Sequence, residues 1–261
     1  MIKWNIGMPK FFITEKDEVS NENIIIISEE NVNHIKNVLR YKKGDFLVLC
    51  NGCGTDFTVR IINLEKEKII TEIVGVDVNN TEPPFDLFLF QAIPKGEKME
   101  FIIQKAVELG IKAIIPVITK RTIQKFDSVY DMEKKKLRWQ KISYEASMQC
   151  NRGIIPEVLL PITFDKAISC FKNLDLILIP HEKEKENTIK LYMNNIKSHN
   201  IAIKKAGLFI GPEGGFSDDE IALAVKAGGI TVSLGSRILR TETAAIAAIV
   251  ILMYEIGDLC K

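Results

Sequence analysis

After Phe85 the chain alternates short apolar runs with stretches of helical spacing: Leu87 to Ala92, Met99 to Leu109, Ala113 to Pro116, then a helix from about Met132 to Gln149. The alternation resumes in Leu174 to Ile179, Leu208 to Ile210, a helix from Asp218 to Ala227, the run Thr231 to Leu234 and a last helix around Thr243 to Met253. Runs this short and uniformly apolar suit strands buried on both faces. Strands joined through helices lie parallel, because a parallel crossover needs the length a helix provides. The second part of the chain is therefore expected to be α/β with a largely parallel sheet.

Upstream the pattern differs. From Phe11 to about Val78 the apolar residues fall in β-type runs, Ile24 to Ile27, Phe46 to Leu49, Phe57 to Ile62 and Ile69 to Val76, punctuated by Lys43-Gly44-Asp45 and Asn51-Gly52. One helical pattern, Val32, Ile35, Val38 and Leu39, interrupts them, with Asn31 placed to cap it. Short strands plus one helix predict a compact barrel. Asn79-Asn80-Thr81-Glu82-Pro83-Pro84 has no periodicity, and its paired prolines continue neither a helix nor a central strand. The boundary falls there, giving domains at 1–80 and 81–261.

Composition excludes several classes. Lys and Arg number 35 against 34 Asp and Glu, so no global field draws the chain to nucleic acid, and an RNA-binding surface must be a local patch. Five cysteines are too few for a disulfide scaffold, which points to a reduced cytoplasmic protein. Cys50 and Cys53 form a C-x-x-C pair, but no second pair or closely spaced His completes four zinc ligands, so no metal is expected. Trp4, Asn5 and Met8-Pro9 interrupt the apolar run a secretory segment needs, and no later stretch is long enough to span a bilayer. His181 through Glu186 alternates in charge and reads as a solvated loop whose first residues edge a site.

Two segments carry the chemistry. In Leu208 to Ser217 a buried strand runs into Gly211-Pro212-Glu213-Gly214-Gly215 and then a helix, and the glycines leave room for a ligand to approach the backbone. Ser217 and Glu220 have capping-box spacing. In Ser233 to Ala245 a second strand passes through a Gly235 turn into a helix start. Loops at the carboxyl ends of parallel strands are where open α/β sheets bind ligands, so the two turns are expected to wall one pocket. The first is not a Walker loop, since no Lys-Ser or Lys-Thr follows its glycines, and it does not match the G-x-G-x-x-G fingerprint.

Gly211-Pro212-Glu213-Gly214-Gly215 followed by Leu234-Gly235-Ser236-Arg237-Ile238-Leu239-Arg240-Thr241-Glu242-Thr243-Ala244 resembles the paired signatures of the ribosomal RNA small subunit methyltransferase E family, within the SPOUT methyltransferases. The likeness continues in Lys95-Gly96, in Gln104 through Gly110, in Pro116 through Arg121 and in Glu145-Ala146, Gln149 and Arg152. At the front, Met8-Pro9-Lys10-Phe11-Phe12, His34 through Arg40 and Lys43-Gly44-Asp45 resemble the family's PUA-like RNA-binding domain, so nearly the whole chain is covered. Lys10 stands where the family commonly has Arg, and it lacks the planar fork of that side chain.

The resemblance implies an N-terminal PUA-like β-barrel and a C-terminal SPOUT α/β domain with a trefoil knot, working as a homodimer. It implies N3-methylation of one uridine in 16S ribosomal RNA of the small subunit, with S-adenosylmethionine as cofactor. The cofactor contacts it implies are Ile179, Pro180 and His181, then Ile210, Gly211, Pro212, Glu213, Gly214 and Gly215, then Leu234, Gly235, Ile238, Leu239, Arg240, Thr243 and Ala244.

The reaction needs a methyl sulfonium held near the base, a route for the N3 proton and stabilisation of the charge that then develops. Arg240 suits the last task. An ion pair with Glu213 or Glu242 is its structural alternative. Glu242 is a candidate proton acceptor, though a carboxylate at a helix start is also favoured by the helix dipole. For RNA, Lys10, Arg40, Lys42 and Lys43, interleaved with Phe11, Phe12 and Tyr41, make a local basic and aromatic set, with Arg121, Gln149 and Arg152 further along the chain. His34, on a helix among apolar neighbours, reads as a structural residue. A non-catalytic RNA-binding assembly factor is the rival reading, and a nucleotide-phosphate module a weaker third.

Overall fold

The computed structural model describes residues 8–20, 23–28, 30–199, 202–256 and 258–259. Trp4 and Asn5, part of the case against an export segment, lie outside the described residues. No helix among the described residues is long and apolar enough to cross a membrane. Contacts divide the chain into two compact units. One runs to Glu82 and takes in Ser147–Ile155; the other holds Pro83–Ala146 and the chain from Pro156 onward. The contiguous split at residue 80 expected from the sequence does not contain that excursion.

In the first unit, β1 (Lys10–Phe12), β2 (Glu18–Ser20), β3 (Ile24–Ser28), β4 (Phe46–Cys50), β5 (Thr55–Leu64) and β6 (Lys68–Val78) form one sheet in the order β1-β4-β5-β6-β3-β2. Among the described residues only β1 and β4 pair in parallel. Alternation along the strands sends Ile25, Ile27, Leu47, Leu49, Val59, Ile61 and Ile69 into one core with Phe11, Val32 and Ile35. The helical segment is short, α1 (Glu30–Asn33) passing into a wide π-type turn at His34–Val38. Asn31 is not its cap. It lies inside α1, buried, and its Nδ2 donates to the Phe12 carbonyl at 3.3 Å, a tertiary bond that the local sequence does not signal.

The excursion belongs to this unit because its polar groups are satisfied there. Arg152 is buried and grips Glu82 through Nη2 at 2.5 Å and Nε at 3.3 Å, while Gly153 and Ile154 donate their backbone N–H groups to the same carboxylate. Cys50 donates its thiol to the Gly153 carbonyl at 3.3 Å, and burial pushes that thiol up to about 11. Its C-x-x-C companion Cys53 is exposed.

The second unit is built from β7 (Asp86–Ala92), α2 (Lys98–Glu108), β8 (Ala113–Ile118), α3 (Val129–Gln149), β9 (Glu157–Val158), β10 (Ile162–Thr163), α4 (Phe164–Ser169), β11 (Leu176–Pro180), α5 (Ile189–Ser198), β12 (Lys205–Ile210), α6 (Asp218–Lys226), β13 (Ile230–Val232) and α7 (Thr241–Ile256). The last residues of α3, from Ser147, are counted with the first unit. Every strand pairing is parallel, in the order β10-β8-β7-β12-β11-β13, with β9 also on β8. The mixed α/β architecture expected from the alternation is thus present.

Phe90, Phe164, Phe171, Phe209 and Phe216 fill the core on one side of the sheet, with the Phe209 and Phe216 ring centroids 4.6 Å apart. Each such ring contributes about 1.5–3 kcal/mol by leaving water. Phe216 follows the glycine turn directly, so the end of that turn is fixed by core packing. Between β8 and β12, β7 marks where the strand order reverses, and a crevice at the carboxyl ends is the expected result.

Candidate functional site

The two turns singled out in the sequence meet. Thr241 Oγ1 donates to the Gly211 carbonyl at 2.6 Å, and Gln91 Nε2, fully buried at the end of β7, donates to Thr241 Oγ1 at 3.1 Å and to the Ala92 carbonyl at 2.9 Å. Together the turns line a cleft of about 550 Å³ at the carboxyl ends of β11, β12 and β13. That volume lies in the range of small-molecule sites. Its walls are Ile210 through Phe216 and Ser233 through Thr241, closed by Pro180, His181, Glu182, Glu184, Lys98 and Ala244.

Of the cofactor contacts implied by resemblance, Pro180, His181, Ile210, Gly211, Pro212, Glu213, Gly214, Gly215, Leu234, Gly235, Ile238, Leu239, Arg240 and Ala244 all face this one cleft. Ile179 is buried in the core beneath it, and Thr243 is exposed one residue before Ala244, outside the lining. His181 has its side chain only 8% exposed, and its Nε2 has no hydrogen-bond partner among the described residues. A buried imidazole nitrogen without a partner is costly unless a ligand completes it.

Several braces hold the glycine turn. Arg121 Nη1 donates to the Gly214 carbonyl at 2.5 Å and to that of Phe216 at 3.3 Å. Ser217 caps α6, accepting from the Glu220 N–H, while Glu220 Oε2 accepts from the Ser217 N–H and Oε1 from the Lys120 N–H. The capping box read from the sequence is therefore formed, and it also ties α6 to the turn after β8. A Ser217→Ala variant is expected to lose about 1 kcal/mol. Urea unfolding should show this as a lowered midpoint with an unchanged slope.

The charged run after β11 is more ordered than a solvated loop. Glu184 accepts from the N–H groups of Glu186 and Asn187 and from the Thr231 hydroxyl, bonds that hold its carboxyl below the usual range. Lys183 pairs with Asp218 across to α6.

Charge at the cleft is arranged around Lys98, which the sequence reading did not single out. Its Nζ lies 2.9 Å from Glu213 Oε1 and 3.7 Å from Glu242 Oε2. Burial pushes the Glu213 carboxyl up, but the hydrogen bond from Lys98 and those from backbone N–H groups, Lys95 among them, hold it below the ordinary range. Because Lys98 takes both carboxylates, the Arg240 side chain is left exposed on the cleft with no hydrogen bond or ion pair among the described residues. Glu242 is half-buried in the first turn of α7 and does not line the cleft, and its Oε2 has no hydrogen-bond partner among the described residues. The signal that would have found Lys98 is a cation in the first turn of a helix, where the dipole disfavours it.

The residues proposed for RNA divide into two groups. Arg40, Lys42 and Lys43 are exposed on the turn before β4, with Arg40 in the left-handed region at φ 57°. Gln149 is exposed at the end of α3, and Arg121 is exposed but engaged with the glycine turn. Lys10 is buried, its Nζ 2.7 Å and 2.9 Å from the two Asp56 oxygens, and Arg152 is buried on Glu82, so neither presents its charge to solvent. Phe11 and Phe12 are core residues. His34 packs edge-on against Phe11, with ring centroids 5.5 Å apart.

Comparison with known proteins agrees with this geometry. Residues 81–253 match the RNA methyltransferase domain family, and residues 27–74 match the RNA methyltransferase PUA domain family. Ribosomal RNA small subunit methyltransferase E of Bacillus subtilis is 32% identical over 95% of this chain and 97% of its own length. The protein of that name from Mesomycoplasma hyopneumoniae is 39% identical over 92% of this chain and 96% of its own. Among solved structures, ribosomal RNA small subunit methyltransferase E from Neisseria gonorrhoeae, bound to S-adenosyl methionine, superposes with a TM-score of 0.81 at 33% identity, covering 95% of this chain and 97% of that one. A Legionella pneumophila protein solved with its SAM cofactor gives 0.84 at 37% identity, covering 95% and 98%.

Proposed function

This chain belongs to the ribosomal RNA small subunit methyltransferase E family, and from that membership and the cleft we propose that it methylates N3 of a uridine in 16S ribosomal RNA, using S-adenosylmethionine. The observation that carries the reading is the bond from Thr241 to the Gly211 carbonyl, which closes two distant turns around one small-molecule cleft.

The residues present fit that cofactor. Three carboxylates, Glu182, Glu184 and Glu213, line the cleft and suit a ligand carrying a sulfonium and an ammonium, and His181 Nε2 offers a buried polar atom with no hydrogen-bond partner among the described residues. Ile210, Leu234 and Leu239 give apolar wall for a nucleoside, and the glycine-rich backbone supplies hydrogen-bonding groups at close range. When bound, S-adenosylmethionine supplies an electrophilic methyl group. Arg240 then orients the uracil and stabilises the negative charge that grows as N3 gives up its proton. Water at the open mouth takes that proton in our reading, because the Glu242 carboxylate stands outside the cleft lining. Arg40, Lys42 and Lys43 hold RNA phosphates.

The same membership leads us to read the first unit as a PUA-like barrel and the second as a trefoil-knotted SPOUT fold, in a cytoplasmic homodimer. Support for the two fold readings comes from the six-stranded, mostly antiparallel sheet of the one and the wholly parallel sheet of the other, and the dimer and the location rest on family membership alone. Purified protein, expected to sediment as a dimer, should transfer labelled methyl from S-adenosylmethionine to small-subunit RNA or to assembled subunits. Mass spectrometry of the product should find 3-methyluridine. Measured cofactor binding with no transfer to either substrate would count decisively against the activity.

A further inference from the structure

We propose that Lys98 is a second cation of the transfer site, set between the two turns so that it shares with Arg240 the negative charge developing on the base. This rests on the reading of the cleft as a uridine-methylating site and adds a residue to it. Lys98 is the first residue of α2, at the positive end of the helix dipole, where a cation is disfavoured by a few tenths of a kcal/mol up to about 1 kcal/mol. Breaking a local rule of this kind is characteristic of functional positions. Glu97, the preceding residue, makes no side-chain cap that would offset the misplacement.

The surroundings of Lys98 offset it instead. Glu213, from the first turn, accepts from Nζ at 2.9 Å, and Glu242, just after the second turn, lies 3.7 Å away, too far for a full hydrogen bond. The Lys95 N–H donates to the same Glu213 Oε1 at 3.1 Å, so the ammonium is placed by a carboxylate that the backbone also holds. An ammonium has three donors, and Lys98 uses one on a protein acceptor among the described residues. The others remain available in a side chain that lines the cleft and is 35% exposed. The hydrogen bond to Glu213 raises the Lys98 pKa, with Glu242 adding to the effect and Arg240 opposing it, so the group stays a cation wherever the enzyme works. Lys98 and Arg240 both line the one cleft, so a uracil bound there faces both cations.

A purely structural Lys98 would act by tying the turns together, and its loss would weaken cofactor binding. A charge-stabilising Lys98 acts on the acidity of the bound base, since a nearby cation favours ionisation. The test compares wild type with Lys98→Gln and Lys98→Arg, measuring single-turnover transfer to small-subunit RNA across pH, cofactor affinity by calorimetry and thermal stability. In Lys98→Gln, transfer near neutrality should fall about tenfold to thirtyfold, less than for an unpaired donor because two carboxylates already offset the charge. Its rising pH limb should move upward by about one unit. Cofactor affinity should stay within about threefold of wild type. Lys98→Arg should keep the wild-type pH limb and most of the rate. An unmoved pH limb, or a loss accounted for by cofactor affinity, overturns the proposal while leaving the activity intact. A wild-type protein that binds cofactor and methylates no RNA overturns both.

Discussion

A Gly215→Val variant should lose cofactor affinity by about a hundredfold or more while melting as a folded protein. Gly215 has φ +66°, a region that β-branched residues rarely enter. Holding a non-glycine residue there costs about 1–3 kcal/mol; a free variant relieves that cost by opening the turn and must meet it again on binding, which at 1.4 kcal/mol per tenfold approaches a hundredfold at the upper end. Space is short as well, since a Cβ at this position would sit 3.1 Å from Glu182 Oε1. The additional methyl groups of valine must push Glu182, a cleft residue, or open the turn that the Gly215 N–H closes on the Pro212 carbonyl at 2.8 Å. Either change reshapes the wall of the cleft. The core is insulated because the next residue, Phe216, is anchored among the aromatic rings. Gly214 provides the contrast. A Cβ there meets only the flexible Arg121 side chain, at 3.4 Å, so Gly214→Ala should bind cofactor within about threefold of wild type. Calorimetry on both variants is the measurement, and near-equal affinities for Gly215→Val and wild type would show that the glycine turn is not a cofactor wall.

The contrast between those neighbouring glycines shows what sequence conveys and what it withholds. Alternating apolar runs and helical spacing revealed β7, α2, β8, β12, α6 and α7 because the signal is local, set by which face of each element is buried. The capping box at Ser217 was legible for the same reason, with donor and acceptor three residues apart. Roles fixed by distant partners were not legible. Lys10 stands beside aromatic residues and reads as part of an RNA patch, but Asp56, 46 residues away, buries it. Arg152 reads as an RNA contact, yet it is drawn inside by Glu82, 70 residues earlier. Lys98 was passed over because Glu213 lies 115 residues further on. Sequence names the ionisable groups, and the pairing that decides which charges remain available is a property of the fold.

That pairing also determines which cation matters most. Replacing Arg240 with glutamine is expected to lower the methyl-transfer rate by about a hundredfold to a thousandfold, the usual consequence of removing a preorganised donor from a developing anion. The effect should exceed that of Lys98→Gln because no carboxylate among the described residues holds the Arg240 guanidinium, whereas Lys98 faces two. An unpaired guanidinium on the cleft keeps its donors and its full charge for the substrate. Its removal leaves the braces of the turns intact, since the bond from Thr241 to Gly211 and the grip of Arg121 on the Gly214 carbonyl do not involve it. Cofactor affinity should therefore change by less than about threefold, and the loss should appear in the single-turnover rate. Arg240→Lys should recover only part of that rate, because a point charge cannot reproduce a planar fork spanning adjacent acceptors on a uracil edge. Should Arg240→Gln transfer methyl groups at a rate close to wild type, the charge on the base must be met elsewhere in the cleft, and Lys98 would become the leading cation instead of the auxiliary one.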